Sequence, residues 1–268
     1  MTILSFLFAL IYALGSLSTA MTVGWLIWRN TRNSGWIDTT WTLGLGLTGF
    51  AGALVGGGFT ERSVLVAALV CLWAGRLALH IAVRTKAAAD DPRYARLIRE
   101  WGPDAPRQMF WFAQTQAWVS VPLALSILIA AWNPAKGLHP QDLLGAIVLT
   151  FACAGEALAD WQLKRFRINL ANKGRVCDQG LWKFSRHPNY FFEWVTWLAY
   201  PIIAIDLSGG YPWGWLAILA PVVMYWLLVH VSGIPLLEQH MLTRSGDEFR
   251  RYQERTNAFF PGPPRRRF

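Results

Sequence analysis

The sequence predicts an all-α integral membrane protein, and three properties of the chain point to that class. Of its 268 residues, 54% are hydrophobic and only 15% are charged. The mean hydropathy is +0.28. Apolar stretches of about 20 residues recur along the chain, and a helix of that length crosses a bilayer core. No internal repeat or linker divides the sequence, so we expect one membrane domain over residues 1–268.

Seven apolar segments are the expected transmembrane helices. The first lacks a positive amino-terminal stretch and is longer than the core of a signal peptide, so we expect it to be retained. The second is rich in glycine. The predicted spans are 3–28, 41–58, 63–83, 109–132, 141–160, 190–206 and 212–235.

The basic residues are distributed unevenly between the connecting segments. Of the 25 Lys and Arg, all but Arg62, Arg76 and Lys136 follow the first, third, fifth or seventh span. Because loops rich in Lys and Arg stay in the cytoplasm, the amino terminus is predicted outside and the carboxy terminus inside. The net charge of +9 is then explained by topology and by contact with membrane lipids, and no nucleic-acid partner is expected.

Polar side chains recur at helical spacing from the fifth span into the loop that follows it. Glu156, Asp160, Lys164 and Arg167 share one helix face, and Lys173 lies in the loop beyond. One interpretation is a ladder of ion pairs within the helix. The other is a phosphate-binding surface, which the surplus of cations over acids in this region favours.

The start of the sixth span carries a second polar group. Pro188 suits the first turn of a helix, so span six should begin there with free N–H groups. Arg186 and His187 immediately precede it, and a pyrophosphate is expected to meet both side chains and the helix terminus. Alternatively, they are an interfacial pair. Asn189 and Glu193 follow on one face, where they would bind polar groups of a cofactor.

Further candidates lie in the amino-terminal half and near the last span. Trp36, Asp38 and Trp41 open span two, and Arg76 and His80 lie four residues apart in span three, giving a predicted pocket for a carbonyl substrate. Asp38 as a helix cap is the simpler alternative. Near the end of the last span, Glu238 is predicted to close the cofactor cavity. The three cysteines lack ligand spacing, so the sequence predicts neither a disulfide nor a metal site.

These residues resemble the membrane steroid 5α-reductase family, in particular its bacterial branch. The resemblance implies a seven-helix enzyme of the bacterial inner membrane with NADPH bound on the cytoplasmic side. It also implies reduction of the Δ4 double bond of a 3-oxo-steroid, or a related lipophilic enone that enters from the bilayer, without an obligate protein partner. The matching residues are Glu156, Asp160, Lys164, Arg167, Lys173, Gly174, Gly180, Leu181, Trp182, Asn189, Tyr190, Glu193 and Trp197.

The sequence departs from that family at the groups that polarise the substrate carbonyl. The family uses an acidic residue near span two and a Tyr near span three. Here Asp38 stands for the acid, and the third span contains no Tyr. Arg76 and His80 are therefore predicted to replace it as catalytic groups, with Trp36 and Trp41 against the substrate.

A second resemblance gives the alternative function. The run from Arg186 to Tyr190 is similar to the Arg-His-Pro-x-Tyr signature of integral-membrane methyltransferases, which act on isoprenylated cysteine or phospholipid amines and bind S-adenosylmethionine. That cofactor carries no phosphate and gives no reason for the basic cluster between Lys164 and Arg186. The sequence therefore favours NADPH and the reductase.

Overall fold

The computed structural model describes residues 1–56, 60–87 and 90–265, apart from the side chains of Pro92, Arg93 and Arg96. In these ranges helix is the only regular secondary structure, so the all-α prediction is confirmed. The helices are α1 Ile3–Thr31, α2 Gly35–Gly56, α3 Glu61–Ala87, α4 Pro92–Trp101, α5 Ala105–Val119, α6 Val121–Ala131, α7 Pro140–Ile168, α8 Pro188–Ala204, α9 Leu219–Trp226 and α10 Ile234–Arg255.

Five helical stretches among the described residues are long and apolar enough to cross a membrane, as in a multi-pass membrane protein. They are Ile3–Thr31, Glu61–Ala87, Leu97–Ala131, Pro140–Ile168 and Pro212–Arg255. The other two predicted spans also form helices: α2 has 22 residues and α8 has 17. The predicted end of the second span, residues 57–58, lies outside the described residues.

Several predicted boundaries are wrong for local reasons. The second span begins at Gly35 and not at residue 41, so Asp38 lies inside its first turn and is not a helix cap. The fourth span divides into α5 and α6 at Ser120, two residues before Pro122, which has no N–H to continue the ladder. The prediction that a helix begins at Pro188 is confirmed.

The chain forms two compact units, of which the first contains residues 1–149 and 197–223. At its centre α2 packs against α1, α3 and α6. Glycines allow this close approach. A Cβ on Gly44 would lie 2.5 Å from the Cβ of Ala20 on α1, and one on Gly46 would lie 2.4 Å from the Cβ of Ala74 on α3. Small residues at helix interfaces of this kind replace the missing hydrophobic driving force in lipid.

A buried ion pair joins the start of α3 to the start of α7 in this unit. Nε and Nη2 of Arg62 donate to the two carboxylate oxygens of Asp142, each at 2.8 Å, and both side chains are almost fully buried. The remaining guanidinium N–H groups donate to backbone carbonyls of the segment between α6 and α7. Asp142 also accepts the N–H of His139 at 2.7 Å. Arg62 is therefore a structural cation.

The second unit contains residues 150–196 and the described part of the chain from 224 onward. Its core forms where the loop after α7 folds back on that helix. Trp182 donates from Nε1 to the carbonyl of Ala159 at 2.9 Å, and Tyr252 of α10 donates to the carbonyl of Trp182. Phe166, Cys177 and Trp182 pack together beneath the loop. These contacts fix the loop that carries the predicted cofactor residues.

Candidate functional site

The first polar cluster of the first unit centres on a tyrosine for which the sequence analysis predicted no catalytic role. Tyr94 lies on α4 and is only 4% exposed. Its hydroxyl donates to Oδ1 of Asp38 at 2.6 Å and accepts from Nε2 of Gln116 at 3.1 Å. The ring of Phe112 packs edge-on at 5.7 Å. The structure thus brings an acid, a phenol and an amide together from α2, α4 and α5.

Hydrogen bonds between loops hold α4 over the start of α2. Oδ1 of Asp90 accepts the N–H and the hydroxyl of Ser34, and also the N–H of Asp91. Asn33 donates from Nδ2 to the carbonyl of Thr85 at 3.1 Å. Because Ser34 immediately precedes α2 and Asp91 immediately precedes α4, these bonds set the positions of Asp38 and Tyr94 relative to one another.

The other predicted catalytic and substrate residues lie on the same unit. Arg76 and His80 are half-buried on α3, and Trp36 is half-buried on α2. Trp41 donates from Nε1 to the hydroxyl of Ser120 at 2.7 Å and meets the ring of Trp73 at 6.3 Å. Trp41 therefore also ties α2 to the break between α5 and α6.

In the second unit the predicted polar stripe separates into a buried acidic part and an exposed basic part. Glu156 and Asp160 on α7 and Glu193 on α8 are buried. Asn189 donates from Nδ2 toward Oδ1 of Asp160 at 3.5 Å, a long hydrogen bond. Lys164 is exposed, as is Arg167 one turn further on. The acids thus line the interior and the cations face outward at the end of α7.

A cation-lined cavity of about 180 Å³ lies where α7 runs into its loop. Arg167, Lys173, Arg175 and Arg244 line it, and none of the described lining residues is acidic. The loop is shaped locally: Asn172 donates from Nδ2 to the carbonyl of Phe166, and Gly174 adopts a φ of +84°. Arg244 lies on α10, so the spacing of polar residues along α7 could not predict that it lines this cavity.

Also lining this cavity is Cys177, whose side chain belongs to the core beneath the loop. Burial raises the pKa of the Cys177 thiol above its ordinary value, so the thiol is neutral at physiological pH. The cavity is therefore lined by four cationic side chains and, beside them, by a neutral thiol. Concentrated positive charge of this kind is suited to a phosphate.

A hydrogen-bond network surrounds Glu238 and includes Arg186, and it gives both residues contacts within the protein that the sequence analysis did not predict. Arg186 donates from Nε and Nη2 to Glu238 at 2.7 and 3.2 Å, and from Nη1 to the carbonyls of Gln253 and Thr256. Gln253 donates from Nε2 to Oε2 of Glu238 at 2.6 Å, the same oxygen that Nη2 of Arg186 contacts. All three nitrogens of the Arg186 guanidinium therefore donate within the protein, and a phosphate would have to compete with these acceptors. Glu238 likewise holds this loop together.

His187 belongs to the same network. Its Nε2 lies 3.0 Å from Oε1 of Glu238, and the ring of Tyr190 stacks on it at 5.5 Å. Burial lowers the pKa of His187, although Glu238 opposes the shift. Nδ1 is buried and has no hydrogen-bond partner among the described residues. His187 is thus a neutral, buried group and not a phosphate-binding cation.

Trp197 is the one predicted cofactor residue that belongs to the first unit. It is fully buried, and its ring meets Trp73 at 4.9 Å. This packing explains its burial as part of the helix core. Within the described residues no group of three His, Cys, Asp or Glu side chains is placed to hold a metal ion.

Together the fold and these clusters define a helical membrane protein with an acid–tyrosine pair in one unit and a cation-lined cavity in the other. The chain belongs to a family described as a protein of unknown function, DUF1295, whose family model matches residues 24–256. No curated protein and no solved structure matches the chain.

Proposed function

We propose that the protein reduces the Δ4 C=C bond of 3-oxo-steroids, or of related membrane-soluble enones, with NADPH. The observation that carries the proposal is the 2.6 Å hydrogen bond between Tyr94 and Asp38. An acid and a tyrosine are the groups that the steroid 5α-reductase family, which the sequence resembles, uses on the substrate carbonyl. The family to which the chain belongs is commonly associated with steroid 5α-reductase-like proteins.

Tyr94 takes the catalytic role that the sequence analysis gave to Arg76 and His80. A phenol hydroxyl aimed at the carbonyl oxygen stabilises the negative charge that develops there during reduction. Asp38 accepts a hydrogen bond from that hydroxyl and orients it, and the α-carbon takes up a proton from water to complete the reduction. NADPH, when bound, supplies the hydride that the β-carbon receives. Trp36 and Trp41 supply apolar surface for the substrate, and Arg76 and His80 remain secondary candidates for contact with the carbonyl.

The cation-lined cavity fits the phosphates of NADPH. Its volume of about 180 Å³ accommodates a phosphate group and not a whole dinucleotide. Arg167, Lys173, Arg175 and Arg244 carry more positive charge than one pyrophosphate needs, which favours a cofactor with an additional 2′-phosphate. The buried carboxylates and the amide nearby offer acceptors and donors for the remaining polar groups of the cofactor. These are Glu156, Asp160, Asn189 and Glu193.

The proposed setting is the bacterial inner membrane, with seven spans and the cofactor site facing the cytoplasm. α2 and α8 are the two spans added to the five longest apolar stretches. The distribution of Lys and Arg supports a cytoplasmic carboxy terminus. Arg62, Arg76 and Lys136 are the three exceptions to that distribution. Arg62 is buried and paired with Asp142, and a paired, buried cation contributes little to the charge of its loop.

An S-adenosylmethionine-dependent methyltransferase is the alternative, and one observation favours it. Arg186 and His187 both contact Glu238, so a carboxylate of the protein already serves as their partner. The cation-lined cavity is evidence against this alternative, because S-adenosylmethionine carries no phosphate that could bind there. Ligand binding separates the two functions directly.

The test of the cofactor is thermal melting of the full-length protein in detergent with NADPH, NADH or S-adenosylmethionine. A ligand that binds only the folded state raises the melting temperature. We expect the largest rise with NADPH. In Arg175→Gln the Kd for NADPH should increase about 10- to 150-fold, the loss of one charge-assisted hydrogen bond. Arg165→Gln is the matched control, because Arg165 lies over the ring of Trp161 and does not line the cavity.

Equal stabilisation by NADPH and NADH would contradict the 2′-phosphate site, and stabilisation by S-adenosylmethionine alone would favour the methyltransferase. The test of the reaction is turnover of a 3-oxo-Δ4 steroid. Tyr94→Phe should lower kcat by a factor of about 100 while the KM for NADPH stays the same, since the hydroxyl acts only on the carbonyl. Full activity of Tyr94→Phe or Asp38→Asn would refute the assignment of this pair.

A further inference from the structure

The last helix, α10, is kinked at one glycine. Gly246 has φ +46° and ψ −121°, which is not a helical conformation, so α10 changes direction at this residue. The Cβ of an L-residue clashes with its own backbone in that region, and such conformations therefore belong almost entirely to glycine. A Cβ placed on Gly246 would meet no other atom within 4 Å. The backbone conformation, and not a lack of space, requires glycine here.

The part of α10 after the kink is joined to the loop that follows α7. Oε1 of Glu248 accepts the N–H of Val176 at 3.1 Å. Phe249 and Tyr252 are buried and pack against the side chain of Val176. The hydroxyl of Tyr252 also donates to the carbonyl of Trp182. A carboxylate, two buried rings and a hydroxyl thus fix this part of the helix relative to the loop.

The part of α10 before the kink forms one wall of the cation-lined cavity. Met241 and Arg244 are the lining residues from α10, and the other lining residues belong to α7 or to the loop after it. Arg244 precedes Gly246 by two residues. Because the helix after the kink is fixed to the loop, the backbone of Gly246 sets where the guanidinium of Arg244 lies. The kink therefore determines whether cations line the cavity on one wall or on two.

Cations on two walls favour one kind of phosphate. A phosphate held by a single ester bond, a phosphomonoester, carries a charge of about −1.5 to −2 at neutral pH and three acceptor oxygens. A phosphate bonded on two sides, as in a diester or a pyrophosphate linkage, has fewer acceptor oxygens and less charge. Only the phosphomonoester offers oxygens to donors on both walls while its ester bond leaves through the mouth of the cavity. The volume of about 180 Å³ suits one such group.

We infer that the kink at Gly246 makes this cavity a two-sided clamp for a phosphomonoester. Arg244 is the cation on the α10 side, and Arg167, Lys173 and Arg175 are the cations on the other side. Arg244 contacts the phosphate, and Gly246 acts only by positioning Arg244. The inference rests on the proposed function for the identity of the ligand, which is then the 2′-phosphate of NADPH.

The test is the binding of a small phosphomonoester, adenosine 2′-monophosphate, to the full-length protein in detergent, measured by calorimetry. Gly246→Ala should raise the Kd about tenfold or more, the loss of one charge-assisted hydrogen bond, because alanine disfavours the kink that positions Arg244. Gly209→Ala is the matched control. Gly209 also has a positive φ, +83°, with open space at its Cβ, but it does not line the cavity. The Kd should stay unchanged in that variant.

A double-mutant cycle separates positioning from a general loss of structure. Arg244→Gln should raise the Kd as much as Gly246→Ala does, and adding Gly246→Ala to it should have no further effect. Adding Gly246→Ala to Arg175→Gln should still raise the Kd, because Arg175 lies on the other wall. Additive effects of Gly246→Ala and Arg244→Gln would overturn the positioning role. Arg244 is exposed, so Arg244→Gln should fold normally, and an unchanged Kd in that variant alone would overturn the clamp.

The preference for a phosphomonoester has its own comparison. The 2′,3′-cyclic diester of adenosine monophosphate places a phosphate at the same ribose position with one acceptor oxygen fewer. We expect it to bind more weakly than adenosine 2′-monophosphate in the intact protein and to respond less to Gly246→Ala. Equal affinity for the two nucleotides, or no binding of the monoester, would refute the two-sided clamp.

The proposed function can fail separately. If the protein binds adenosine 2′-monophosphate and responds to Gly246→Ala, but neither binds NADPH nor reduces an enone, the clamp stands and the reductase is contradicted. If NADPH supports turnover and the Kd is unchanged in both Gly246→Ala and Arg244→Gln, the reductase stands and the clamp is refuted.

Discussion

Removing one partner of the buried Arg62–Asp142 pair should destabilise the protein more than removing both. Asp142→Asn leaves the guanidinium buried without its counter-charge, and Arg62→Met leaves the carboxylate buried with the N–H of His139 as its one remaining side-chain contact among the described residues. Breaking such a pair costs about 3–5 kcal/mol, whereas replacing both groups by apolar residues is often close to neutral. The double variant Arg62→Met/Asp142→Leu should therefore be more stable than either single variant.

Thermal melting in detergent measures this difference. At roughly 2–4 °C per kcal/mol for a chain of this size, each single variant should melt on the order of 10 °C lower than the unchanged protein. The control is Asp247→Asn, which removes an exposed pair: Asp247 and Arg250 are 81% and 70% exposed, so no measurable change is expected. Losses in the two single variants that simply add in the double variant would refute the reasoning, because partners in one network must couple.

Three further predictions concern the remaining sites. Asn189→Ala and Glu193→Gln should raise the KM for NADPH while the protein still accumulates in the membrane; failure to accumulate would point to a structural role. Because burial lowers the pKa of His187, the unfolded chain binds a proton near pH 6.5 that the folded chain does not, so stability should fall as pH drops below about 6.5. Melting curves of His187→Gln from pH 7.5 to 5.5 should show a smaller fall, and an identical pH dependence would contradict this. Gly46→Ala should cost about 1–3 kcal/mol, because its Cβ would meet that of Ala74, and an unchanged melting temperature would show that α2 and α3 can separate freely.

The helical class and most helix positions follow from the sequence because apolar length and proline position act locally. Pro188 begins α8 as predicted, since the missing N–H of proline is harmless only in the first turn. The short helix α4 has only ten residues and is amphipathic, so no hydropathy window detects it as a span. Its mixture of charged and aromatic residues is typical of a short helix at the membrane surface, but that pattern does not reveal the contact between Tyr94 and Asp38.

The contacts of the site residues are harder to predict from the sequence, because sequence spacing identifies neighbours on one helix and not neighbours on different helices. Asp38 and Tyr94 are 56 positions apart, and Arg186 and Glu238 are 52 apart. From the sequence, two residues of α3 were therefore predicted to replace the catalytic tyrosine of the family that the chain resembles. A bound phosphate was predicted as the partner of Arg186. In both cases the structure supplies a partner that lies far along the chain.

The glycines of α2 also bear on how the chain is made. On the faces toward Ala20 and Ala74, glycine gives α2 little apolar side-chain surface, so these two faces gain little from lipid before the neighbouring helices pack against them. Its neighbours α1 and α3 flank it directly along the chain, and both pack against it. We therefore expect α2 to be stably inserted in the bilayer only after α3 has left the ribosome, so that α1, α2 and α3 insert as one group.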